Sequence, residues 1–539
     1  MTQQPGHAAG ETLSAILDHA DLARPALVVP DDGQVLTYAE LAERIEHLAG
    51  ALAAAGVRRG DRVAFTLPNG PDVIQLLLAI TTLGAAAAPL NPAYTESEYL
   101  FYLEDVAPRL LLIPATRPEA AVSAARAQSV PVVTVSAGTG QASGAEPPEL
   151  IVAEKVAEPV TGFERGQPDD VAVVLHTSGT TSRPKQVPLR QRNLMASTRT
   201  VAAHYELGPS DVSFCVMPLF HVHGLVASTF AALAGGGSVI VPRRFTPRGF
   251  WAQAREHGAT WLSAGPTLHQ MILDRSDDGG PPRTLRFARS CSSALSPALL
   301  ERAEQVYGVP MLEAYGMTEA SHQMASNPLP PAARIPGSVG VATGTQIGIA
   351  GRDGSLLPEG TPGEVVIRGP GVMSGYVGNP AATAEAFFGD WFRTGDRGVL
   401  RDGYLYLEGR LKEMILRGGE NISPAEIEAV LLSHPAVRDA VCFGIADEKY
   451  GELVGAAVTL TAEAAPVQPK DLIDYSRRQL AAFKVPARIQ VLDEIPRTAT
   501  GKVQRRKVGE FVAGLAAPGP AGAAPAGAGP ADGAAGGPA

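Results

Sequence analysis

One short stretch of the sequence concentrates residue types that bind phosphate. Residues 176–185 read HTSGTTSRPK, in which hydroxyl and backbone amide groups can bond anionic oxygens, Gly179 permits close backbone approach and Lys185 supplies a positive charge. The spacing differs from that of a P-loop NTPase, because Pro184 precedes the lysine and Gln186 follows it, where that loop needs a glycine and a hydroxyl. The stretch therefore predicts a nucleotide-phosphate loop of another kind, with a Ser/Thr-rich surface turn as the alternative.

The segments around this loop predict how it is held. Residues 171–175 form a β-branched apolar run typical of a buried strand, and residues 61–65 read as another strand. Residues 36–55 place apolar side chains at helical spacing after a threonine cap with a glutamate three positions later. Because helix and strand patterns alternate to about residue 310, the sequence predicts an α/β architecture with substantial parallel sheet.

The pattern changes twice further along the chain. Between residues 344 and 408 the strands become short and turn-rich, with a hairpin signal at Asp402-Gly403, which predicts a small β-rich subdomain. A second unit begins near Gly409 and includes a helix start at Ser423, so a small α+β domain is expected. From residue 513 onward the chain is nearly all Ala, Gly and Pro and should be disordered. We therefore predict units at 1–408 and 409–512 and a tail at 513–539.

Composition and charge exclude several classes of protein. A chain of 539 residues is too long for one core, and its net charge of -10 argues against general nucleic-acid binding. Cys215, Cys291 and Cys442 are far apart and predict neither a disulfide framework nor a zinc site, which fits a reducing cytoplasm. The N-terminus lacks a signal-peptide pattern, and the longest apolar stretch is interrupted, so no membrane span is expected and we predict a cytoplasmic protein.

Five further motifs occur in a fixed order with the phosphate loop. They are PLFHVHG at 218–224, YGMTE at 315–319, WFRTGD at 391–396, GRLKE at 409–413 and PRTATGK at 496–502. With these motifs the chain resembles the acyl-adenylate-forming superfamily of acyl-CoA synthetases, adenylation domains and firefly luciferase, over nearly its whole length outside the tail. The resemblance implies a large N-terminal AMP-binding domain, a small mobile C-terminal domain, ATP and Mg²⁺ as cofactors, CoA as co-substrate, and either a monomer or a homodimer.

The resemblance also implies a reaction and its principal residues. A carboxylate attacks the α-phosphate of ATP, pyrophosphate leaves, and a thiol then attacks the acyl-adenylate. Lys502 is expected to bridge the carboxylate and the α-phosphate, Thr318 to contact that phosphate and Glu319 to ligate Mg²⁺, a hard cation that prefers oxygen ligands. His221 is expected to gate the carboxylate. For each of these residues, an ordinary surface or turn position is the alternative.

Other roles follow from the same resemblance. The residues expected to bind ATP or AMP are Thr177, Ser178, Gly179, Thr180, Thr181, Lys185, Ala314, Tyr315, Gly316, Asp396 and Arg410. Within this set, Tyr315 packs on the adenine and Asp396 accepts hydrogen bonds from the ribose hydroxyls. Lys412 matches the hinge about which the small domain swings, and Gly418 and Gly419 are expected to shape the pantetheine channel.

Gln186 departs from the glycine that most members of the superfamily place after the loop lysine. The change removes easy access to positive φ and is expected to add bulk beside the pyrophosphate site. We predict that the fold tolerates it and that the mobility of the loop and the release of pyrophosphate are affected.

The residues expected around the acyl group are unusually polar. They are His223, Ser290, Cys291, Ser292 and His322, of which three belong to the polar run at residues 289–293. A long acyl tail would leave such groups unpaired at a cost of about 1 to 3 kcal/mol each, whereas a short acid with a second polar end would satisfy them. Segments 220–225, 289–297 and 317–330 resemble the oxalate:CoA ligase branch of plants and fungi, so we favour oxalate. The alternative is a short- or medium-chain fatty acyl-CoA synthetase.

Three rival functions share much of this pattern. An adenylation domain that loads a carrier protein is disfavoured because no carrier follows and the serine-free tail cannot accept phosphopantetheine. A catalytically silent nucleotide-binding or scaffolding protein would be expected to lose residues such as Glu319, Asp396, Arg410 and Lys502, and all of them are present. A luciferase-like oxygenase remains open, since it would share the fold and the adenylation residues.

Overall fold

The computed structural model describes residues 11–18, 20–136, 147–152, 155–177, 184–275, 279–461, 467–497 and 503–516. The strands in these ranges are β1 Pro25–Val29, β2 Gln34–Thr37, β3 Arg62–Phe65, β4 Ala86–Pro89, β5 Leu110–Pro114, β6 Val132–Ser136, β7 Glu149–Val152, β8 Lys155–Val156, β9 Val171–Thr177, β10 Lys185–Arg190, β11 Val212–Cys215, β12 Ser238–Ile240, β13 Trp261–Ala264, β14 Phe287–Ser290, β15 Met311–Met317, β16 His322–Ser326, β17 Val341–Ala342, β18 Gln346–Ala350, β19 Gly363–Arg368, β20 Phe387–Phe388, β21 Trp391–Arg401, β22 Tyr404–Arg410, β23 Ile415–Arg417, β24 Glu420–Ile422, β25 Val437–Asp447, β26 Gly451–Leu460 and β27 Arg488–Val491.

The α-helices in the same ranges are α1 Tyr38–Ala54, α2 Pro71–Thr82, α3 Glu96–Val106, α4 Glu119–Ala127, α5 Gln191–His204, α6 Ala231–Ala234, α7 Phe250–Glu256, α8 Pro266–Leu273, α9 Pro297–Tyr307, α10 Pro380–Ala386, α11 Pro424–Leu432, α12 Pro469–Arg477 and α13 Arg505–Ala516. Sequence signals fix several of their starts. Thr37 caps α1 in a capping box with Glu40, as the sequence predicts, and Ser423 is the N-cap of α11. Strands β3 and β9 also lie where their apolar runs predict them.

Two large sheets carry the α/β architecture that the sequence predicts. The first runs in the order β10-β9-β4-β3-β5-β6-β7-β8, and its centre is parallel. The second contains the parallel series β12, β11, β13, β14 and β15. Carboxyl ends of parallel strands meet at one edge of a sheet, and ligands bind there in α/β folds. The predicted site residues that follow β11, β14 and β15 therefore converge on this edge.

The β-rich segment continues the second sheet. Strands β18, β19, β21 and β22 pair antiparallel, and β22 joins β17 through Tyr404 and Val341. The predicted hairpin joins β21 to β22, with Asp402 at φ 51° and Gly403 at φ 78°, as a tight turn requires. A third sheet, β24-β23-β26-β25 with β27, begins after β22 and packs against α11, α12 and α13.

Two sequence-based expectations concern the C-terminal tail and membrane-spanning helices. The predicted tail at 513–539 overlaps the structure, because α13 continues to Ala516, so disorder from residue 513 is wrong for residues 513–516. Alanine is the strongest helix former, and the buried Val508 and Val512 anchor the preceding turns. Residues 517–539 lie outside the described part of the chain. Within the described part, no helix combines the length and the apolar character needed to cross a membrane.

Candidate active site

The nucleotide side of the site is built around one carboxylate. Asp396 on β21 lies opposite Arg410 on β22, and the Arg410 Nε is 3.1 Å from Asp396 Oδ1. The Tyr315 hydroxyl on β15 donates a hydrogen bond to Asp396 Oδ2. Asp396 raises the pKa of the Arg410 guanidinium, while burial, followed by the charge of Asp396, raises the pKa of Tyr315. The structure thus brings together three residues that the sequence assigns to the nucleoside, and the carboxylate keeps lone pairs for further donors.

The adjoining glycine of this motif has a steric reason. A Cβ placed on Gly316 would lie 2.2 Å from the His322 carbonyl oxygen, so only glycine fits between β15 and β16. Ser321 and His322 adopt φ values of 54° and 110°, a conformation that non-glycine residues rarely occupy. The turn that follows Glu319 is therefore a strained segment of the kind found at functional sites.

A second group of contacts joins the predicted phosphate residues to the predicted metal ligand. Lys185 begins β10 opposite Thr177, and its Nζ lies 4.7 Å from the centroid of the Tyr376 ring. The Tyr376 hydroxyl donates to Glu319 Oε1 at 3.1 Å. Burial raises the pKa of Tyr376, so this phenol stays protonated as a donor. Sequence reasoning missed Tyr376, which lies in no motif that we recognised.

The surroundings of Glu319 fit a magnesium ion that is completed by substrate. Glu319 is buried, and among the described residues no group of three or more His, Cys, Asp or Glu side chains could hold a metal. Mg²⁺ is commonly bound by one or two carboxylates together with substrate phosphates and water. A single carboxylate beside Lys185 is consistent with that pattern.

The segment predicted to border the acyl group contains an unusual helix. Residues His223–Phe230 form a π-helix, a rare conformation that often occurs at functional sites. A Cβ on Gly224 would lie 2.4 Å from the Pro218 carbonyl oxygen, so the close approach of this helix requires glycine. His221 lies in the preceding turn, and its ring centroid is 4.6 Å from that of Phe220.

Asn69, which sequence reasoning also missed, fixes the segment before this helix. Its Nδ2 donates to the Met217 carbonyl oxygen at 3.1 Å, and its Oδ1 accepts from the Leu219 amide at 2.9 Å. One side chain from the loop after β3, in the first sheet, therefore holds the strand end that leads to His221. The sequence gives no signal for this pairing, because the partners are about 150 residues apart.

Three of the polar residues predicted for the acyl pocket, His223, Ser292 and His322, belong to one hydrogen-bonded network. His223 Nδ1 lies 3.0 Å from Ser292 Oγ, and its Nε2 lies 2.7 Å from Ser263 Oγ. The rings of His223 and His322 stack with centroids 5.0 Å apart. Ser290 is buried, and its Oγ has no hydrogen-bond partner. A buried hydroxyl without a hydrogen-bond partner destabilises the protein unless a ligand supplies that partner.

At the centre of this network lies Arg289, which is fully buried at the end of β14. The sequence placed it in a polar run but gave it no role. Its Nη2 donates to His322 Nε2 at 3.0 Å, and its Nη1 lies 3.3 Å from His223 Nε2. A guanidinium only donates, so His322 Nε2 accepts from Arg289, whereas His223 Nε2 also lies 2.7 Å from Ser263 Oγ and can donate to or accept from it.

Three further partners of Arg289 are neutral. Its Nε donates to the Tyr205 hydroxyl at 2.8 Å, its Nη1 to Ser263 Oγ at 2.8 Å and its Nη2 to Gln323 Oε1 at 3.0 Å. Burial raises the pKa of Tyr205, so this group is a neutral phenol. Among the described residues, Arg289 therefore has no carboxylate partner. A buried charge without a counter-ion is strongly unfavourable, and an anionic ligand would relieve it.

Several predicted residues lie away from this convergence. Lys412 is exposed in the 3₁₀ turn Leu411–Glu413 between β22 and β23, and Gly418 and Gly419 form the β23–β24 turn at φ 59° and 91°. Cys291 is different, because it is buried directly after β14 and its side chain hydrogen-bonds Arg289. Of the predicted phosphate and catalytic residues, Ser178, Gly179, Thr180, Thr181 and Lys502 lie outside the described residues.

The expectation that Gln186 matters because it lacks the backbone freedom of glycine is wrong. Gln186 lies in the extended strand β10 and is absent from the residues with positive φ, so the strand does not need the freedom of glycine. Its side chain is buried and donates to Asp105 on α3. The added bulk is accommodated in contacts with that helix.

Comparisons with known proteins show the family of the chain. A family model described as AMP-binding enzyme matches residues 18–377, and one described as AMP-binding enzyme C-terminal domain matches residues 426–502. Probable CoA ligase CCL9 of Humulus lupulus is 46% identical over 89% of this chain and 92% of that protein. An oxalate–CoA ligase of Arabidopsis thaliana is 44% identical over 93% of this chain and 98% of its own length. The structure of o-succinylbenzoate coenzyme A synthetase from Bacillus subtilis, in complex with ATP and magnesium ion, matches with a TM-score of 0.79 at 30% identity, covering 92% of this chain and 99% of that one.

Proposed function

Because this chain belongs to the family of AMP-binding enzymes, we propose that it is the ligase that joins oxalate to CoA. The family and its relatives make the chain an acyl-CoA ligase that uses a carboxylic acid, ATP with Mg²⁺, and CoA. The choice of acid is our inference. Its main support is the buried Arg289, which has no carboxylate partner among the described residues.

Oxalate has two carboxylates, and the reaction consumes the charge of only one. An oxygen of the first attacks the α-phosphorus of ATP, and the bond to the bridging oxygen breaks as pyrophosphate leaves. The sulfur of CoA then attacks the acyl carbon, AMP leaves with the electrons of the acyl–oxygen bond, and the thiol proton passes to solvent. The second carboxylate stays ionised throughout and is the counter-ion for the buried charge of Arg289.

The groups behind Arg289 favour a short acid. The rings of Tyr205 and Phe287 stack at 5.2 Å, and those of Phe287 and Trp261 at 5.4 Å, all three being buried. Together with Arg289, whose guanidinium carbon lies 5.8 Å from the centroid of the Tyr205 ring, they form one buried cluster. A fatty acyl chain would meet a charged group there and would leave the buried Ser290 hydroxyl without a polar partner. The identity to an oxalate–CoA ligase supports the same choice over a short- or medium-chain fatty acid.

On the nucleotide side we assign the chain's residues as follows. Asp396 binds the ribose hydroxyls, with Tyr315 and Arg410 holding its orientation. Lys185 contacts the phosphates, Thr318 the α-phosphate, and Glu319 would hold Mg²⁺, which neutralises phosphate charge when bound. Lys502 joins the carboxylate to the α-phosphate during the first step.

The thioester step requires a second arrangement of the chain. Lys412 is the hinge between units at 1–408 and 409–512, and its exposed position between β22 and β23 leaves its backbone free to rotate. After the swing, Gly418 and Gly419 line the path of the pantetheine arm, where an absent side chain allows close approach.

A panel of acids tests the proposal. Pyrophosphate release and CoA-thioester formation are measured with ATP, Mg²⁺ and CoA for oxalate, malonate, sulfoacetate, acetate, butyrate and octanoate, with Lys502→Ala as the control for enzymatic turnover. A preference for oxalate that is lost in the control supports the assignment. Preference for butyrate or octanoate would refute the oxalate assignment and leave the ligase class intact. Absence of turnover with every acid would favour the silent nucleotide-binding alternative.

A further inference from the structure

Gln186 lies in the β9–β10 hairpin, directly after Lys185, the lysine that we propose binds phosphate. It follows Lys185 in β10 and pairs with His176 of β9, one step inside the pair formed by Lys185 and Thr177. Strand β10 is the edge strand of its sheet, so one side of its backbone is available to another segment. Only 7% of Gln186 is exposed, which is a low value for a glutamine on an edge strand and indicates that its side chain is held by neighbouring elements.

The side chain of Gln186 fastens this hairpin to the last turn of α3. Its Nε2 donates to Asp105 twice, to the backbone oxygen at 2.6 Å and to Oδ2 at 2.7 Å. His176 Nε2 lies 2.9 Å from the same Oδ2, and because burial lowers the pKa of His176, the neutral ring donates this bond. Arg62 on β3 completes the cluster, since its Nη1 donates to Gln186 Oε1 at 3.4 Å and to the Val106 oxygen at 2.9 Å.

The backbone of Gln186 faces the other way, toward the predicted metal ligand. Its carbonyl oxygen accepts from the Val377 amide at 3.2 Å. The neighbouring Tyr376 contacts Lys185 with its ring and Glu319 with its hydroxyl. One residue thus connects α3, through its side chain, to the segment that joins Lys185 and Glu319.

We propose that Gln186 is a positioning residue for MgATP: its bond to Asp105 sets where β10 holds Lys185 relative to Tyr376 and Glu319. Displacement of β10 would move the Lys185 ammonium and loosen the Val377 contact together, so the effect falls on the phosphate and metal side. Arg289 and His223 belong to the other sheet and should be unaffected. The inference rests on the phosphate role that we propose for Lys185.

Adding a negative charge to the cluster of Gln186, Asp105 and His176 tests this inference. Gln186→Glu replaces a donor with a carboxylate directly beside Asp105 Oδ2, and we expect MgATP to bind about tenfold more weakly. Asp105→Asn keeps an oxygen that accepts from Gln186 and His176, so its effect should be less than about twofold. In the double variant Q186E/D105N the asparagine amide donates to the new glutamate, and binding should return to within about threefold of the original.

Two further variants and two readouts complete the design. MgATP binding is measured by calorimetry without any acid, and the KM for the acid and the thermal unfolding temperature are measured in parallel. Gln346→Glu, at an exposed glutamine bonded to Arg368, controls for the added charge, and Lys185→Ala gives the effect of losing the lysine itself.

The outcomes separate this inference from the proposed function. Weak MgATP binding in Q186E, recovery in the double variant and an unchanged acid KM support it. Equal weakening in Q186E and Q186E/D105N, or normal binding in both, overturns it. A matching rise in the acid KM with a lower unfolding temperature overturns it as well, since that pattern belongs to general damage. If Lys185→Ala binds MgATP normally, the phosphate role of Lys185 fails and the inference fails with it, whereas the choice of acid is read only by the acid panel.

Discussion

The nucleotide half and the acyl half of the site treat buried charge differently. In the nucleotide half, the Asp396 carboxylate is held by the Arg410 guanidinium and the Tyr315 hydroxyl. In the acyl half, the Arg289 guanidinium is buried among a phenol, a hydroxyl, an amide, a thiol and two imidazoles, with no carboxylate among the described residues. The first arrangement is electrically complete within the protein, whereas the second leaves a charge that a ligand must balance.

On the proposed assignment, this difference predicts which half of the site sets the choice of acid. A self-balanced nucleotide site is already organised for ATP and can remain the same whatever acid is activated. An unbalanced arginine makes the acyl half selective, because an acid without a second anionic group would leave the guanidinium desolvated and unpaired. The comparison therefore predicts that variants in the acyl half change which acid is used, while variants in the nucleotide half affect all acids alike.

The largest effect is expected from Arg289→Met. Loss of the guanidinium should lower kcat/KM for oxalate about a thousandfold, because the second carboxylate loses its only cationic partner in the described pocket. The same variant should change kcat/KM for acetate by less than about threefold, so the ratio of the two acids carries the result. Because methionine leaves the buried acceptors of Arg289 without a donor, the unfolding temperature should fall, and this loss of stability affects both acids alike.

Arg289→Lys is the matched control for this prediction. It keeps the positive charge but loses the planar fork, so its activity with oxalate should fall between that of the unaltered enzyme and that of Arg289→Met. An equal loss for acetate and oxalate in Arg289→Met would contradict the assignment of the arginine to the second carboxylate.

Asp396→Asn should have the next largest effect. An amide accepts fewer hydrogen bonds than a carboxylate and no longer pairs with Arg410, so the KM for ATP should rise roughly thirtyfold. The rise should be the same with oxalate and acetate as the acid. A change confined to one acid would break the proposed separation of the two halves.

The sequence predicts the two halves to unequal extents. Motif residues such as Tyr315 and Asp396 are recognisable because local patterns carry them, and a hydrogen bond joins them between β15, the last strand of the parallel series, and the antiparallel strand β21. The boundaries of α1 and the β21–β22 hairpin are likewise local, since a capping box and an Asp-Gly turn fix them. These parts of the fold follow from short-range chemistry.

The features that the sequence did not predict depend on contacts between distant segments. Arg289 was visible only as one member of a polar run, and its isolation from any carboxylate in the described residues depends on five segments of the chain, which are β13, β14, β16, the π-helix and the end of α5. Tyr376 reaches Glu319 across about 57 residues. Gln186 was judged against a glycine pattern, whereas its strand and its bond to Asp105 decide its conformation. Burial and partners of this kind are tertiary properties.

Tyr376→Phe tests how the nucleotide half is held together. The change removes the hydroxyl that donates to Glu319 but keeps the ring beneath Lys185, so the KM for MgATP should rise about fivefold and the Mg²⁺ concentration for half-maximal rate should increase. Tyr404→Phe is a matched control, because its hydroxyl donates to the Ala333 oxygen at an exposed position. An unchanged Mg²⁺ dependence in Tyr376→Phe would argue against Glu319 as the metal ligand.

The smallest effect is expected from Asn69→Asp, which alters the approach to the acyl half without touching Arg289. The aspartate keeps the oxygen that accepts from the Leu219 amide, but it cannot donate to the Met217 oxygen and places a negative charge beside it. The turn that carries His221 should shift slightly, so kcat/KM for oxalate should fall about threefold while the KM for ATP is unchanged. Steady-state kinetics with each substrate varied in turn measure both values. If the KM for ATP rose instead, the segment before His221 would belong to the nucleotide half, and the division between a self-balanced and a ligand-balanced region would have to be drawn elsewhere.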